Sequence, residues 1–272
     1  MSFSLHTSPL TRATRAPWMW AMTGVVAGGA LALVCFAPAR WLTQSLEAAS
    51  NARLSFSDVR GSVWQGSAQL SLTGGPGSSD ASALPGRVGW NINTDFNGLR
   101  PGLALVVQAP CCMQTPMLLQ VTPGLQGMHL QWADHASVWP ASWLSGLGTP
   151  WNTIGAEGPL ALQTTGLGLQ WSGNTMVLQG QAHIDAHDMA SRLSTLRPMG
   201  SYRLTLLGGK AAQLELTTLQ GSLMLSGKGQ WKQGKLRFTG EALAAPERMD
   251  ALSNLLNIIG QRQGARSIIT VG

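Results

Sequence analysis

Residues 223–242 read Leu-Met-Leu-Ser-Gly-Lys-Gly-Gln-Trp-Lys-Gln-Gly-Lys-Leu-Arg-Phe-Thr-Gly-Glu-Ala, and this stretch decides the fold class. Apolar or small residues take every second place: Leu223, Leu225, Gly227, Gly229 and Trp231, then Leu236, Phe238, Gly240 and Ala242. Ser226, Lys228, Gln230, Arg237, Thr239 and Glu241 fill the places between. A period of two puts one set of side chains in a core and the other in water, the pattern of an antiparallel strand with one wet face. Lys232-Gln233-Gly234-Lys235 supplies the turn, so the stretch predicts a hairpin.

The same period recurs upstream. Tyr202, Leu204 and Leu206 predict one strand, and Leu214 with Leu216 the next. Met176, Leu178, Gly180, Ala182 and Ile184 alternate with Val177, Gln179, Gln181, His183 and Asp185. Leu160, Leu162 and Thr164 are read as pairing with Leu167, Leu169 and Trp171 across Thr165-Gly166. Leu54, Phe56 and Asp58 face one way at the start of the series, and Gly74-Gly75-Pro76-Gly77-Ser78-Ser79 is a loop. Residues 87–93, 103–109, 117–122 and 128–132 are further short strands. Pro116–Thr122 and Pro159–Thr165 resemble each other, and each leads to an apolar-x-Leu-Gln-Trp segment ending at Trp132 or Trp171, so a repeated hairpin is expected.

Two segments break the pattern. Residues 134–158 show no alternation and carry Trp139, Trp143 and Trp151 among prolines and glycines. They predict a lid or crossover that subdivides the strands, with a short helix over 141–147 and the three indoles buried against the sheet. From Pro246 onward, Met249, Leu252, Leu255, Leu256 and Ile259 form the stripe of a terminal helix that Gly260 can end. Residues 267–271 are a last short strand.

At the other end, Pro17–Ala39 is an uninterrupted apolar run bounded by Arg15 and Arg40. As a helix its residues span about 35 Å, enough to cross a hydrocarbon core of about 30 Å. Arg12 and Arg15 precede it and no acid appears before Glu47, so the positive-inside rule keeps residues 1–16 in the cytoplasm and sends the rest across. A cleaved signal peptide ending at Ala37-Pro38-Ala39 is the competing reading. The run exceeds the usual apolar core of a signal, and Trp18 and Trp20 suit a retained interfacial belt. The expected organisation is a tail (1–16), a transmembrane helix (17–39), a juxtamembrane helix (40–53) and an elongated, mostly antiparallel β domain buried on one side (54–272).

Composition bounds the function. Hydrophobic residues make up 44% and charged residues only 11%, with 33 glycines, which suits a turn-rich β protein rather than a disordered tail. The formal charge of +6 is uneven: residues 101–191 hold four acids and no Lys or Arg, whereas 192–272 hold eleven basic and four acidic residues. Those charges alternate with apolar residues, as on a solvated sheet face. Nucleic acid is a poor partner for a domain outside the cytoplasm.

Reactive motifs are missing. The chain has no Gly-x-Ser-x-Gly elbow, phosphate-binding loop or His-Glu-x-x-His. His183, Asp185 and His187 would share a strand face and are metal-ligand types, but that face opposes the apolar one, so wet polar residues are the preferred reading and no metal or cofactor is expected. Cys111 and Cys112 are neighbours; a structural vicinal disulfide or buried thiols, intermolecular pairing and redox chemistry stay open in that order. Cys35 lies in the apolar run as a small hydrophobe. Trp64, between Gly61 and Gly66, reads as a ring that neighbouring backbone must approach.

The order of these features resembles a known family. A short basic tail and one membrane helix precede Gly61-Ser62-Val63-Trp64-Gln65-Gly66. Gly148-Thr149-Pro150-Trp151-Asn152-Thr153 stands centrally, and Ser191–Leu204 with its Pro198-Met199-Gly200-Ser201-Tyr202 stands late. This resembles the type II secretion system protein N family over most of residues 15–272, with Ser62 and Met199 replacing the commoner Thr and Leu. The matching positions are Gly61, Val63, Trp64, Gly66, Trp151, Pro198, Gly200 and Tyr202. The resemblance implies an inner-membrane, single-pass component of the machine that exports folded proteins from the periplasm. It implies contact with inner-membrane platform proteins or the outer-membrane secretin, and no enzyme activity. A looser likeness to periplasmic grooved sheets of the AsmA type implies lipid handling as the alternative, on fold analogy alone.

Overall fold

The structure, a computed structural model, describes residues 18–97, 100–124, 127–173, 175–232 and 235–272. The chain divides into two compact units between Ala37 and Pro38. In the first, helix α1 (Trp18–Cys35) has no charged residue and no buried one. Its 18 residues rise about 27 Å. Among the described residues it is the one helix long and apolar enough to cross a membrane. Pro17 lies outside the described residues, and the helix stops short of Pro38.

The second unit opens with α2 (Ala39–Ala49), then builds one open antiparallel sheet. β1 (Leu54–Gly61) pairs with β2 (Gln65–Thr73), which also takes β3 (Ala81–Ala83) and β4 (Val88–Asn97). β5 (Arg100–Gln108), β6 (Met117–Gly124) and β7 (Gly127–Trp132) continue the meander. Then come β8 (His135–Pro140), a 3₁₀ segment (Ala141–Leu147), α3 (Trp151–Ile154) and β9 (Ala156–Glu157). β10 (Pro159–Ser172) receives β7 and β8 end to end along one side, and β11 (Thr175–Ser191) along the other. From there β12 (Gly200–Gly209), β13 (Gln213–Gly221), β14 (Leu223–Lys232) and β15 (Lys235–Ala244) follow in order. A 3₁₀ turn (Pro246–Arg248) leads into α4 (Met249–Ile259), and β16 (Gln261–Gln263) and β17 (Arg266–Val271) close the sheet, with β17 against β15.

Register keeps the two faces distinct. One row runs Leu162, Ile184, Leu204, Leu216, Gly227, Gly240, Ile269 across β10 to β17. The adjacent row on the other face runs Gln163, His183, Thr205, Glu215, Lys228, Thr239, Thr270. In the first half of the sheet, Ile92, Leu105, Leu119 and Trp132 lie side by side on the apolar face. Gly227 and Gly240 are glycines because the Phe238 ring lies where their side chains would project.

α4 covers one end of that apolar face. Leu252, Leu255 and Leu256 are buried against Tyr202, Leu223, Ala242 and Ala244, with Leu216, Leu225 and Ile269 around them. Three buried leucines stabilise this lid by about 1.5–3 kcal/mol each. A smaller core holds Leu84, Ala109 and Cys112 under Val88, Met113, Trp139 and Trp143. The helices pack at the margins: α4 on β15, β16 and β17, α2 on β1 and β2, and the 141–147 segment on β2, β3 and β9.

Several sequence expectations change. Residues 159–172 are one long strand, not a hairpin, because Thr165–Gly168 forms a bulge. Gly166 and Gly180 both have positive φ there, and the Gly166 carbonyl stands where a Cβ on Gly180 would project, so a Thr-Gly pair that resembles a turn is a bulge. The repeat is therefore a hairpin (β6–β7) in one copy and a bulged strand in the other. Within 134–158, His135–Pro140 is a strand, and the sheet runs through the expected crossover without a break. The 141–147 helix is 3₁₀. Trp139 and Trp143 stack at 5.5 Å, but Trp151 is 40% exposed and is not buried on the sheet. Asp58 leaves the face of Leu54 and Phe56, since the ladder shifts between Ser57 and Arg60 and Asp58 takes φ 49°. Gly260 ends α4 in an extended conformation, and the close approach of Ile268 explains why it carries no side chain.

Candidate functional site

Gly61–Gly66 forms the β1–β2 turn and is knitted to the point where the chain enters the second unit. Pro38 bridges to Ser62. Ser62 N–H donates to the Gln65 carbonyl at 2.8 Å, and Gln65 N–H to Ser62 Oγ at 3.1 Å. Gly61 has φ +90° and faces the Gln65 backbone, so a side chain is excluded twice over. The indole that demands a glycine is Trp90, not Trp64. A Cβ on Gly66 would stand 2.5 Å from Trp90 Cζ2 and 2.7 Å from the Arg60 carbonyl oxygen. Trp90 Nε1 donates to the Val63 carbonyl at 3.0 Å, and Ile92 N–H to the Trp64 carbonyl at 2.6 Å. Trp64 itself is half-buried. Beside this turn Asp58 accepts from Arg60 at 2.8 Å and also pairs with Arg87. The hydrogen bonds from these guanidinium groups, Arg60 first, hold its carboxyl below the usual range.

The central and late motifs meet each other at the opposite end of the strands. Ser191 Oγ donates to the Ile154 carbonyl at 2.6 Å, and Arg192 Nη2 to the Asn152 carbonyl at 2.6 Å. Asn152 Nδ2 reaches Asp80 at 2.9 Å, which ties α3 to the loop after β2. Arg197 pairs with Glu157 at 2.7 Å, and Ser194 Oγ donates to the Ala251 carbonyl in α4 at 2.9 Å. Pro198 follows a cis peptide bond, as does Pro150 beside Trp151. Gly200 lies under the Tyr202 ring, with its Cβ position 2.8 Å from the phenolic oxygen. Tyr202 is buried, its hydroxyl has no partner among the described residues, and burial pushes the phenol's pKa up. Gly200 and Tyr202 thus lie in the core under α4, and α3, which carries Trp151, is tied to the late motif through Ser191 and Arg192, while Gly61, Val63, Trp64 and Gly66 form a separate assembly with Trp90.

Cys111 and Cys112 are joined in a disulfide in the bend between β5 and β6. Cys112 is buried and Cys111 exposed, at a shallow cleft shared with Pro85, Val138, Trp139, Pro140 and Pro159. His183 and Asp185 do share the polar face, but Asp185 is engaged: Arg203 donates two hydrogen bonds to it at 2.6 and 2.7 Å. Those bonds lower the Asp185 pKa against the opposing effect of burial. His183 Nε2 faces Gln163 Oε1 at 3.1 Å. Among the described residues no three His, Cys, Asp or Glu side chains gather where a metal could sit.

What sequence reasoning missed is the partner of each motif glycine: Trp90 for Gly66 and the Gly200–Tyr202 stack. Only the strand register reveals them. A comparison with protein-family models matches residues 52–269 to the family described as type II secretion system (T2SS), protein N. Comparisons with curated proteins and with solved structures find no match.

Proposed function

The chain belongs to the type II secretion system protein N family, and from that membership we propose that it is a membrane-anchored accessory of type II secretion, acting by protein–protein contact. The observation that carries this reading is the extent of the match, which starts just before β1 and ends within β17. In this reading α1 is a retained inner-membrane anchor, residues 1–16 are cytoplasmic and the sheet is periplasmic. The run of apolar residues in α1 and the basic residues Arg12 and Arg15 before it support that orientation.

Contact rather than catalysis fits the way the charges are used. Asp58, Glu157 and Asp185 are each held by arginines, and the family's glycines serve turns and ring packing. The partners we propose are inner-membrane platform proteins or the outer-membrane secretin. Cross-linking in intact cells, followed by purification of the full chain, tests this. Recovery of platform proteins or secretin supports it, and their absence from every cross-linked species refutes it. Lipid handling has one observation in its favour, the Ile92–Leu105–Leu119–Trp132 row on β4 to β7, against which no α-helix among the described residues packs extensively. Mass spectrometry of the purified full chain distinguishes the two, since a bound lipid is required only by the second.

A further inference from the structure

The strands alternate in direction, so the C-terminal ends of β1, β4, β6, β10, β12 and β14 all fall on one rim of the sheet. Pro38, bridged to Ser62, brings the chain into the unit at this same rim. α4, the 141–147 segment and the Ser191–Met199 connection belong to the opposite rim.

The first rim is unfinished as protein surface. At the ends of β7, β10 and β11 the register sets Met128, Trp171 and Met176 side by side, with Trp171 paired to both neighbours. They are 54%, 54% and 59% exposed. Large apolar side chains clustered at one edge, rather than scattered, mark a contact surface. Farther along the rim stand Lys210, Lys232 and Lys235, all exposed. None of them has an ion-pair partner among the described residues, whereas Lys228, deeper in the sheet, reaches Glu215 at 3.1 Å. No acid occurs in 127–132, 168–173, 175–176, 207–214, 229–232 or 235–240, the described segments that form the rim between β7 and β15. From β7 to β15 the rim spans roughly 30 Å at the usual strand spacing.

We propose that this rim docks on an anionic lipid surface, with Met128, Trp171 and Met176 entering the interfacial layer and Lys210, Lys232 and Lys235 over lipid phosphates. Apolar side chains beside unpaired cations, with no acid among them, complement a negatively charged bilayer in both chemistry and charge. The inference goes beyond the secretion assignment and does not depend on which secretion component the chain touches.

The test uses the full chain in nanodiscs, in a Cys35→Ser background, with an environment-sensitive fluorophore on Met176→Cys. A second chain carries the label on Met128→Cys, and a third on Thr217→Cys, an exposed polar-face position. Phosphatidylglycerol discs should raise the emission at 176 and 128 several-fold over phosphatidylcholine discs and expose it to lipid-borne quenchers, with no change at 217. Raising the salt, or the combined Lys210→Glu, Lys232→Glu and Lys235→Glu variant, should abolish the rise while the melting curve stays cooperative. Equal emission at all three sites, a signal indifferent to lipid charge and salt, or a rise seen only after another envelope protein is added would each overturn the proposal.

Discussion

Replacing Gly66 by alanine should unseat the β1–β2 turn from β4. The new Cβ would lie 2.5 Å from Trp90 Cζ2, 2.9 Å from Trp90 Cε2 and 2.7 Å from the Arg60 carbonyl oxygen. Carbon atoms rest about 3.5–4.0 Å apart, so the overlap with the indole is about 1 Å. The backbone oxygen cannot swing away, and the ring can do so only by breaking the Trp90 Nε1 hydrogen bond to Val63. Overpacking of this kind costs about 1–3 kcal/mol. The lost hydrogen bond adds about 1 kcal/mol, for a total of about 2–4 kcal/mol. For a domain of this size each kcal/mol is worth about 2–4 °C, so the melting temperature should fall by about 5–15 °C. Thermal melts followed by near-ultraviolet circular dichroism measure this on the full chain in detergent. Gly89→Ala is the control, because its nearest neighbour is a backbone oxygen at 3.9 Å, and it should stay within about 0.5 kcal/mol of the parent. If Gly66→Ala melts within about 2 °C of the parent with an unchanged tryptophan signal, the reason given for this glycine is wrong.

Leu255→Ala should cost about 3–5 kcal/mol in denaturant unfolding, because Leu255 is buried at the centre of the α4 lid and its loss leaves a cavity. Ile258→Ala, on the exposed side of the same helix, should cost less than about 1 kcal/mol. Asp185→Asn should destabilise the chain at neutral pH by weakening the bidentate contact with Arg203. The Asp185 pKa is lowered on folding, so its contribution is present above the unfolded carboxylate pKa of about 3.9 and lost as pH falls through the lower folded value. The gap between parent and variant, measured as denaturant midpoints across pH, should therefore shrink in acid. A gap that widens below about pH 4 would contradict this sign.

Much of the sheet was legible because alternation is a direct record of which side chains meet water. The residues 223–242 hairpin forms with the expected facing, as does the Leu252–Leu255–Leu256 stripe. The failures share a cause. Thr165-Gly166 and Asp58 lie at bulges, where one residue is inserted without interrupting the strand, and a local sequence cannot separate a bulge from a turn. His135–Pro140 shows little alternation in hydrophobicity because the strand carries His135 and Ser137 inward, both buried, so its pairing with β10 left no apolar signature. For the candidate site, the motif residues could be quoted but not explained. Gly66 and Trp90 are apart in sequence, and so are Arg192 and Asn152. Their contacts arise only when strands and connections are placed in register.

The most direct measurement of the account is the distribution of a folded type II substrate between periplasm and medium. Cells lacking this chain are complemented either with the full chain or with residues 40–272 behind a cleaved signal. The account predicts that the substrate accumulates in the periplasm without the chain, that the anchored chain restores its release and that the unanchored one does not. Unchanged release without the chain, or full rescue by the unanchored form, would contradict it.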